Sequence, residues 1–265
     1  MRLYYEIALR SFRRAMTYRT AYIAGLLTNA FFAALRCAVL IAVYQSSGVD
    51  SRVAGFTLQD ALSYTWITQS LISIGAGWVA FDIMLTIRSG DVVTDLMRPW
   101  SFWGYWLSRF WGERLFNLLI RGALTYVLGI LYFSAHIPTL GQAAGFACAI
   151  SLALLVSFGY TLLVNLTAFW LIDNTGVVII ANILLSFFSG FLLPISFFPP
   201  VLAALARALP FQAITGLPAQ VFLGHVAGPE LVQTLALQVW WAVILNGLGL
   251  LVLQLALRKV VVQGG

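Results

Sequence analysis

The chain has 265 residues, of which 61% are hydrophobic and 9% charged, and its mean hydropathy is +0.93. A water-soluble domain carries roughly 25% Asp, Glu, Lys and Arg, so water cannot be the main solvent for this sequence. The net charge of +6 does not argue for nucleic acid, because the arginines gather at the ends of apolar runs, where they set topology in a bilayer.

The first residues, up to about 20, alternate apolar positions (Leu3, Ile7, Phe12, Met16) with Arg2, Arg10, Arg13, Arg14 and Arg19. That spacing predicts an amphipathic helix lying on an anionic membrane surface. Arginine continues to position 19 and the apolar run that follows is too long for the core of a signal peptide, so the run reads as a retained first span. Crossing about 30 Å of hydrocarbon takes roughly 20 helical residues. Runs of that kind lie at 21–44, 60–81, 115–134, 143–171, 177–197 and 232–257. They are too long and too uniformly apolar for spanning strands, which leaves a helical bundle. The expected fold is therefore an all-α integral membrane protein of six spans forming one domain over residues 1–265.

With the N-terminus inside, eleven basic residues fall on the cytoplasmic side. They are the five N-terminal arginines, Arg88, Arg98, Arg109, Arg114, Arg258 and Lys259; only Arg52 and Arg207 fall outside. This bias predicts that both termini are cytoplasmic. Arg36 and Arg121 lie within spans or at their edges. A charge at the depth of Arg36 faces a bundle interior or cavity, or reaches outward to the interface. For Arg121, near the inner end of its run, reaching back to the headgroups is the favoured reading.

Two connections are long. Between spans 2 and 3, residues 82–114 are punctuated by Gly90 and Pro99, with Asp91 and Asp95 four apart and Arg88 and Arg98 outside them. This is the pattern of a short helix with one charged face. The aromatic residues that follow, from Trp100 to Trp111, read as an interfacial belt. Asp173 falls in a short turn on the same side. Between spans 5 and 6, residues 194–231 are cut by Pro194, Pro199, Pro200, Pro210 and Pro218 into apolar pieces too short to cross. Such pieces are half-helices that must be covered by protein or line a cavity.

Several chemistries lack their residues. Lys259 is the only lysine and Val260 follows it, so there is no GxxxxGK[ST] phosphate loop, and neither HExxH nor GxSxG occurs. Cys37 and Cys148 have no metal-ligand neighbours at useful spacing. The chain is read as a non-enzyme that binds no metal or cofactor of its own.

The outer segment SGFLLPISFFPPVLAALARALPF resembles the ABC-2 class of export permeases through Gly190, Pro194, Ser196, Pro199, Pro200, Leu209, Pro210 and Phe211. The cytoplasmic stretch IRSGDVVTDLMRP is similar to a less-studied branch of that class at Ile87, Gly90, Asp91, Leu96, Arg98 and Pro99. The resemblance covers essentially the whole chain. It implies an inner-membrane permease that moves a drug, lipid, peptide or glycan outward, paired with a second permease, identical or related, and two ABC ATPases that hold the ATP and Mg. It also implies that Arg88, Gly90, Asp91, Asp95, Leu96, Arg98 and Pro99 couple to the ATPase. Gly190, Pro194, Pro199, Pro200, Pro210 and Phe211 would form an outer gate, and Arg36 and Asn182 are candidates for a translocation path. Two other readings stand beside it: a coupling subunit of a vitamin-type importer, whose paired Ala-Arg-Gly motifs are absent, and an intramembrane lipid enzyme or scaffold.

Overall fold

The structure, a computed structural model, describes residues 2–17, 19–47, 52–74, 81–171 and 173–258, and these are almost entirely helical. In chain order the helices are α1 (Arg2–Ala15), α2 (Arg19–Ser47), α3 (Leu58–Ser70), α4 (Asp82–Ser89), α5 (Val92–Leu96) and α6 (Phe102–Phe116). They continue with α7 (Ala123–Phe133), α8 (Leu140–Leu166), α9 (Thr175–Phe188), α10 (Pro200–Ala208), α11 (Gly216–Leu223) and α12 (Pro229–Leu257). A π-helical turn, Asn117–Gly122, joins α6 to α7.

Among the described residues, four continuous helical stretches are long and apolar enough to cross a membrane: Ile23–Ser46, Phe102–Phe133, Leu140–Phe169 and Pro229–Leu257. The other two expected spans are not continuous helices of spanning length. Instead of a helix over 60–81, α3 stops at Ser70 and turns follow to Ile74; residues 75–80 lie outside the described residues, as does Lys259. Instead of a helix over 177–197, α9 ends at Phe188 after 14 residues, about 21 Å at the helical rise. Each is a half-helix, and hydropathy cannot register such a break because the residues around it stay apolar.

The expected cytoplasmic connection 82–114 also differs. Its second half, from Phe102 onward, is helix continuous with the third of the expected spans, so Trp106 and Phe110 of the expected belt are buried between helices.

The core is built around α8, whose Ala149, Ala153, Leu154, Val156, Phe158, Leu162 and Leu166 are buried. Because lipid tails are as apolar as leucine, helices in a bilayer associate through close packing and hydrogen bonds. Both devices hold α12 to α8. A methyl at Gly159 would stand 2.8 Å from Leu245, and one at Gly249 2.8 Å from Leu162. Gln238, fully buried, donates to the carbonyls of Ala149 at 3.0 Å and Ala213 at 2.8 Å. Asn246 donates to Leu155 O at 3.0 Å and accepts from the Trp103 indole at 3.1 Å, which ties α6 into the same unit.

α1 carries its arginines 2, 10, 13 and 14 on exposed positions, as an interfacial helix would, yet one side is pressed against α6. A Cβ at Gly112 would lie 2.0 Å from Ala8 O, so the two backbones touch. The Tyr4 hydroxyl meets the Ser101 backbone N–H at 3.2 Å, and Phe12 packs edge-on against Phe116 at 5.2 Å. Gly112→Leu is therefore expected to detach α1 and cost about 1–3 kcal/mol, as overpacking does. Limited proteolysis and thermal unfolding of the purified protein check it: Arg2, Arg10, Arg13 and Arg14 become cleavable by trypsin at a rate well above wild type.

Candidate functional site

Three places draw together the residues that sequence reading singled out. The first lies at the α1 end of the bundle, where α4, α5 and the following turn project. Gly90 ends α4 with φ +81°, a left-handed conformation that glycine adopts without strain. α5 follows as little more than one turn, anchored by buried Val92 and by Ile87, Val93 and Leu96 packed on the core. From this anchored base Met97 stands out at 83% exposed, and Arg98 and Pro99 are also exposed, with the Arg98 guanidinium 5.1 Å over the Trp100 ring. Asp91 accepts from the Ser89 hydroxyl at 2.7 Å. Asp95 is half-buried, and that desolvation holds its carboxyl above the ordinary carboxylate range against the pull of Arg98 and Arg109.

Arg88 reaches the turn before α9, with its guanidinium 3.3 Å from Asp173. Asp173 also accepts from the Thr175 hydroxyl at 2.6 Å and backbone N–H at 2.9 Å, which hold its pKa below the usual range. Arg109 pairs with Asp82 at 3.6 Å. The two connections that sequence reading put on one side of the membrane are thus joined at one end of the bundle.

The second place is the break after α9. Breaking a helix leaves carbonyls without N–H partners, and in a bilayer other protein groups must supply them. Gly190, at φ +80°, turns the chain away. Its carbonyl accepts from the buried Tyr64 hydroxyl at 2.7 Å, and the carbonyls of Phe191 (2.7 Å) and Leu192 accept from the Arg36 guanidinium. Ser189 O accepts from the Gly216 N–H at 2.8 Å, where α11 begins. A positive charge at a helix C-terminus also complements the dipole. Arg36 lies 5.3 Å over the Phe191 ring, and its Nη1 is buried without a hydrogen-bond partner among the described residues. Of the two readings for Arg36, the structure takes the bundle interior.

Around this break, Pro194 is buried and the pair Pro199 and Pro200 opens α10, where a missing N–H costs nothing. Pro210 and Phe211 are buried; Phe211 stacks near Phe188 at 6.3 Å and meets Tyr160 edge-on at 5.3 Å. Asn182 is half-buried on α9, on the stretch leading into the break. Every described residue of α11 except Gln220 is buried, so this half-helix is covered by protein as its backbone requires.

The third place is the break after α3, which sequence reading did not anticipate. Arg114, counted there among the loop residues, is 5% exposed and donates to Ser73 O, while the Ser157 hydroxyl donates to Ile74 O at 2.7 Å. Where the chain resumes in α4, the Met84 N–H donates to Asn165 Oδ1 at 2.9 Å. Arg121 likewise does not extend to the headgroups: it donates to Asn29 at 2.9 Å and Gly25 O at 3.2 Å on α2. The available signal for Arg114 was a charge seven residues before Arg121 on a helix that begins earlier than hydropathy suggested; Tyr64 and Ser157 carried none.

Tyr64→Phe removes one hydrogen bond and leaves Gly190 O unpaired, an expected loss of about 1–3 kcal/mol with the fold intact. Gly190→Ala is expected to cost more, because it combines a strained φ with a methyl 2.7 Å from the Tyr64 hydroxyl. Thermal unfolding in one detergent ranks wild type above Tyr64→Phe, and Tyr64→Phe above Gly190→Ala.

No curated protein and no solved structure matches the chain. The family model described as "ABC-2 family transporter protein" matches residues 31–264. Because the match starts within α2 and takes in both breaks, the projecting turn and all of α12, the chain belongs to the ABC-2 transporter family as a multi-pass membrane protein.

Proposed function

We propose that this chain is the permease subunit of an ABC exporter in the cytoplasmic membrane, driven by a separate ATPase seated on the segment from Arg88 to Pro99. The family is one of transporter membrane components that work with an ABC ATPase. The observation that carries the placement is the projection of Met97, Arg98 and Pro99 from a base buried at Val92. An exposed apolar tip on a fixed foot, ringed by charge, is what a groove on a soluble partner can grip. The tie between Arg88 and Asp173 then gives the partner purchase on α4 and on the start of α9 together.

In this reading the α1 end is cytoplasmic, as the exposed arginines of α1 favour. The half-helices α3 and α9, each completed by the chain beyond its break, make six crossings with both termini inside. Nucleotide-driven movement of the ATPases passes into the helices as rigid-body displacement. The break at Gly190 to Pro194, with Pro199, Pro200, Pro210 and Phe211, is the outer gate. Arg36, with its buried spare donor, and Asn182 face the path. A second permease covers part of the exposed apolar faces of α2, α9 and α12, where Phe31, Ile183 and Trp240 are at least 61% exposed. ATP and Mg belong to the ATPase, and the substrate class remains drug, lipid, peptide or glycan.

Co-purification with a co-expressed ABC ATPase from the same gene neighbourhood tests the docking surface. Asp91→Ala combined with Asp95→Ala is expected to lower ATPase recovery severalfold and to abolish transport-linked turnover; unchanged recovery and turnover remove the role. Asp95→Asn separates docking from folding. The carboxyl's raised pKa means that charging it above that pKa costs the folded state, so the neutral amide leaves thermal stability equal or higher at neutral pH while recruitment falls. The advantage over wild type shrinks as pH drops and the wild-type carboxyl protonates.

A further inference from the structure

Between α1 and the turn that leads into α6 lies a cleft of about 730 Å³. Five guanidinium groups line it, those of Arg2, Arg10, Arg14, Arg98 and Arg109, against one carboxylate, Glu6. Arg2, Glu6, Arg10 and Arg14 recur every four residues on α1 and so form one stripe facing the cleft. Arg109 is paired with Asp82, but none of the other four has a carboxylate within 4 Å among the described residues. Like charges gathered around one cavity repel one another, and an anion bound between them relieves that repulsion.

Three features say what supplies it. The guanidinium fork matches the oxygens of a phosphate two at a time, and several around one cavity can hold a single phosphate from several sides. The surfaces between the arginines are apolar or aromatic: Leu3, Ile7 and the rings of Trp100 and Tyr105, which stack at 5.7 Å with 16° between planes. Amphipathic rings of this sort belong at headgroup depth, and Leu3 in the cleft lining is itself 44% exposed. An acidic protein segment would satisfy the charges but has no use for this apolar rim. The geometry points to a binding site for the phosphate of an anionic phospholipid in the leaflet that α1 faces. This deepens the functional reading above, resting on its placement of the α1 end at the cytoplasmic membrane surface, and the bound lipid fixes α1 and the root of the docking turn to that surface together.

Native mass spectrometry of the purified full chain, without ATPase, tests it with phosphatidylglycerol and phosphatidylcholine of identical acyl chains. Wild type is expected to retain phosphatidylglycerol preferentially, with the preference falling at least about tenfold in Arg10→Gln/Arg14→Gln, given roughly 1 kcal/mol per arginine near an anionic surface. Arg13→Gln/Arg258→Gln, which removes two exposed charges outside the cleft, keeps the preference. Should the α1 double variant unfold, Arg98→Gln, on the projecting turn, gives the same reading with a smaller drop. Equal retention of the two lipids by wild type overturns the site, as does a preference that survives loss of Arg10 and Arg14. Displacement of the lipid by sn-glycerol 3-phosphate at equal concentration overturns the lipid assignment in favour of a soluble phosphate. Loss of ATPase recruitment with lipid preference intact in Arg10→Gln/Arg14→Gln makes the cleft a protein contact and refutes the proposal. Because lipid retention is read without the ATPase, failure of the docking surface leaves this result unaffected.

Discussion

Backbone carbonyls at membrane depth have no water to turn to, and two helices of this membrane protein, α3 and α9, stop short within apolar stretches. Each unpaired carbonyl would cost several kcal/mol in hydrocarbon, so the breaks exist only because side chains from neighbouring helices are built to meet them. Both breaks use the same solution. Arg36 from α2 and Tyr64 from α3 serve the one after α9; Arg114 from α6 and Ser157 from α8 serve the one after α3. The reward for each arginine is twofold, since its charge leaves the lipid and its donors find acceptors at the negative end of a helix.

That constraint organises the rest. α3 must be buried on all sides because it provides Tyr64 to one break while its own end forms the other, and every residue from Ala61 to Ser70 is indeed buried. α8 must run through the centre because it contributes Ser157 and Asn165 to the break after α3, while its small residues admit α12 on the other side. The long helices with one lipid-facing side, α2 and α12, wrap this pair. Several polar residues in the bundle thus serve the broken backbone, and Arg36 Nη1 is one of the buried donors left over among the described residues.

How much of this could be read from the residues follows from the same physics. The spans centred on α2, α7, α8 and α12 were legible because the bilayer demands a long apolar run and little else produces one. The half-helices were not, since the residues from Leu71 to Ile74 and from Ser189 to Leu193 are as apolar as the helices they interrupt, and only Gly190 and Pro194 hinted at the second break. Gly90 ends α4 with a left-handed turn, and the signal for the helix that follows was Ser101, which caps it by accepting from the Gly104 N–H, but that serine was read as part of the loop. Arg114 was misplaced into a solvated loop for a related reason: a basic residue next to an apolar run ordinarily marks the interface, and its true partner, the carbonyl of Ser73, is 41 positions away in sequence.

The contact between Gly112 and Ala8 has a mechanical meaning. Where two helix backbones touch with no room for a methyl group, they cannot slide or roll independently, so α1 and the lower part of α6 behave as a single handle. That handle is the foot of a 32-residue helical rod, about 48 Å long. Tilting the foot by about 5° would carry the far tip sideways by roughly 4 Å if the rod stayed straight. The π-helical turn at Asn117–Gly122 sits near the middle of that rod, where a looser winding can absorb part of the tilt and set how much of it arrives at the opposite surface.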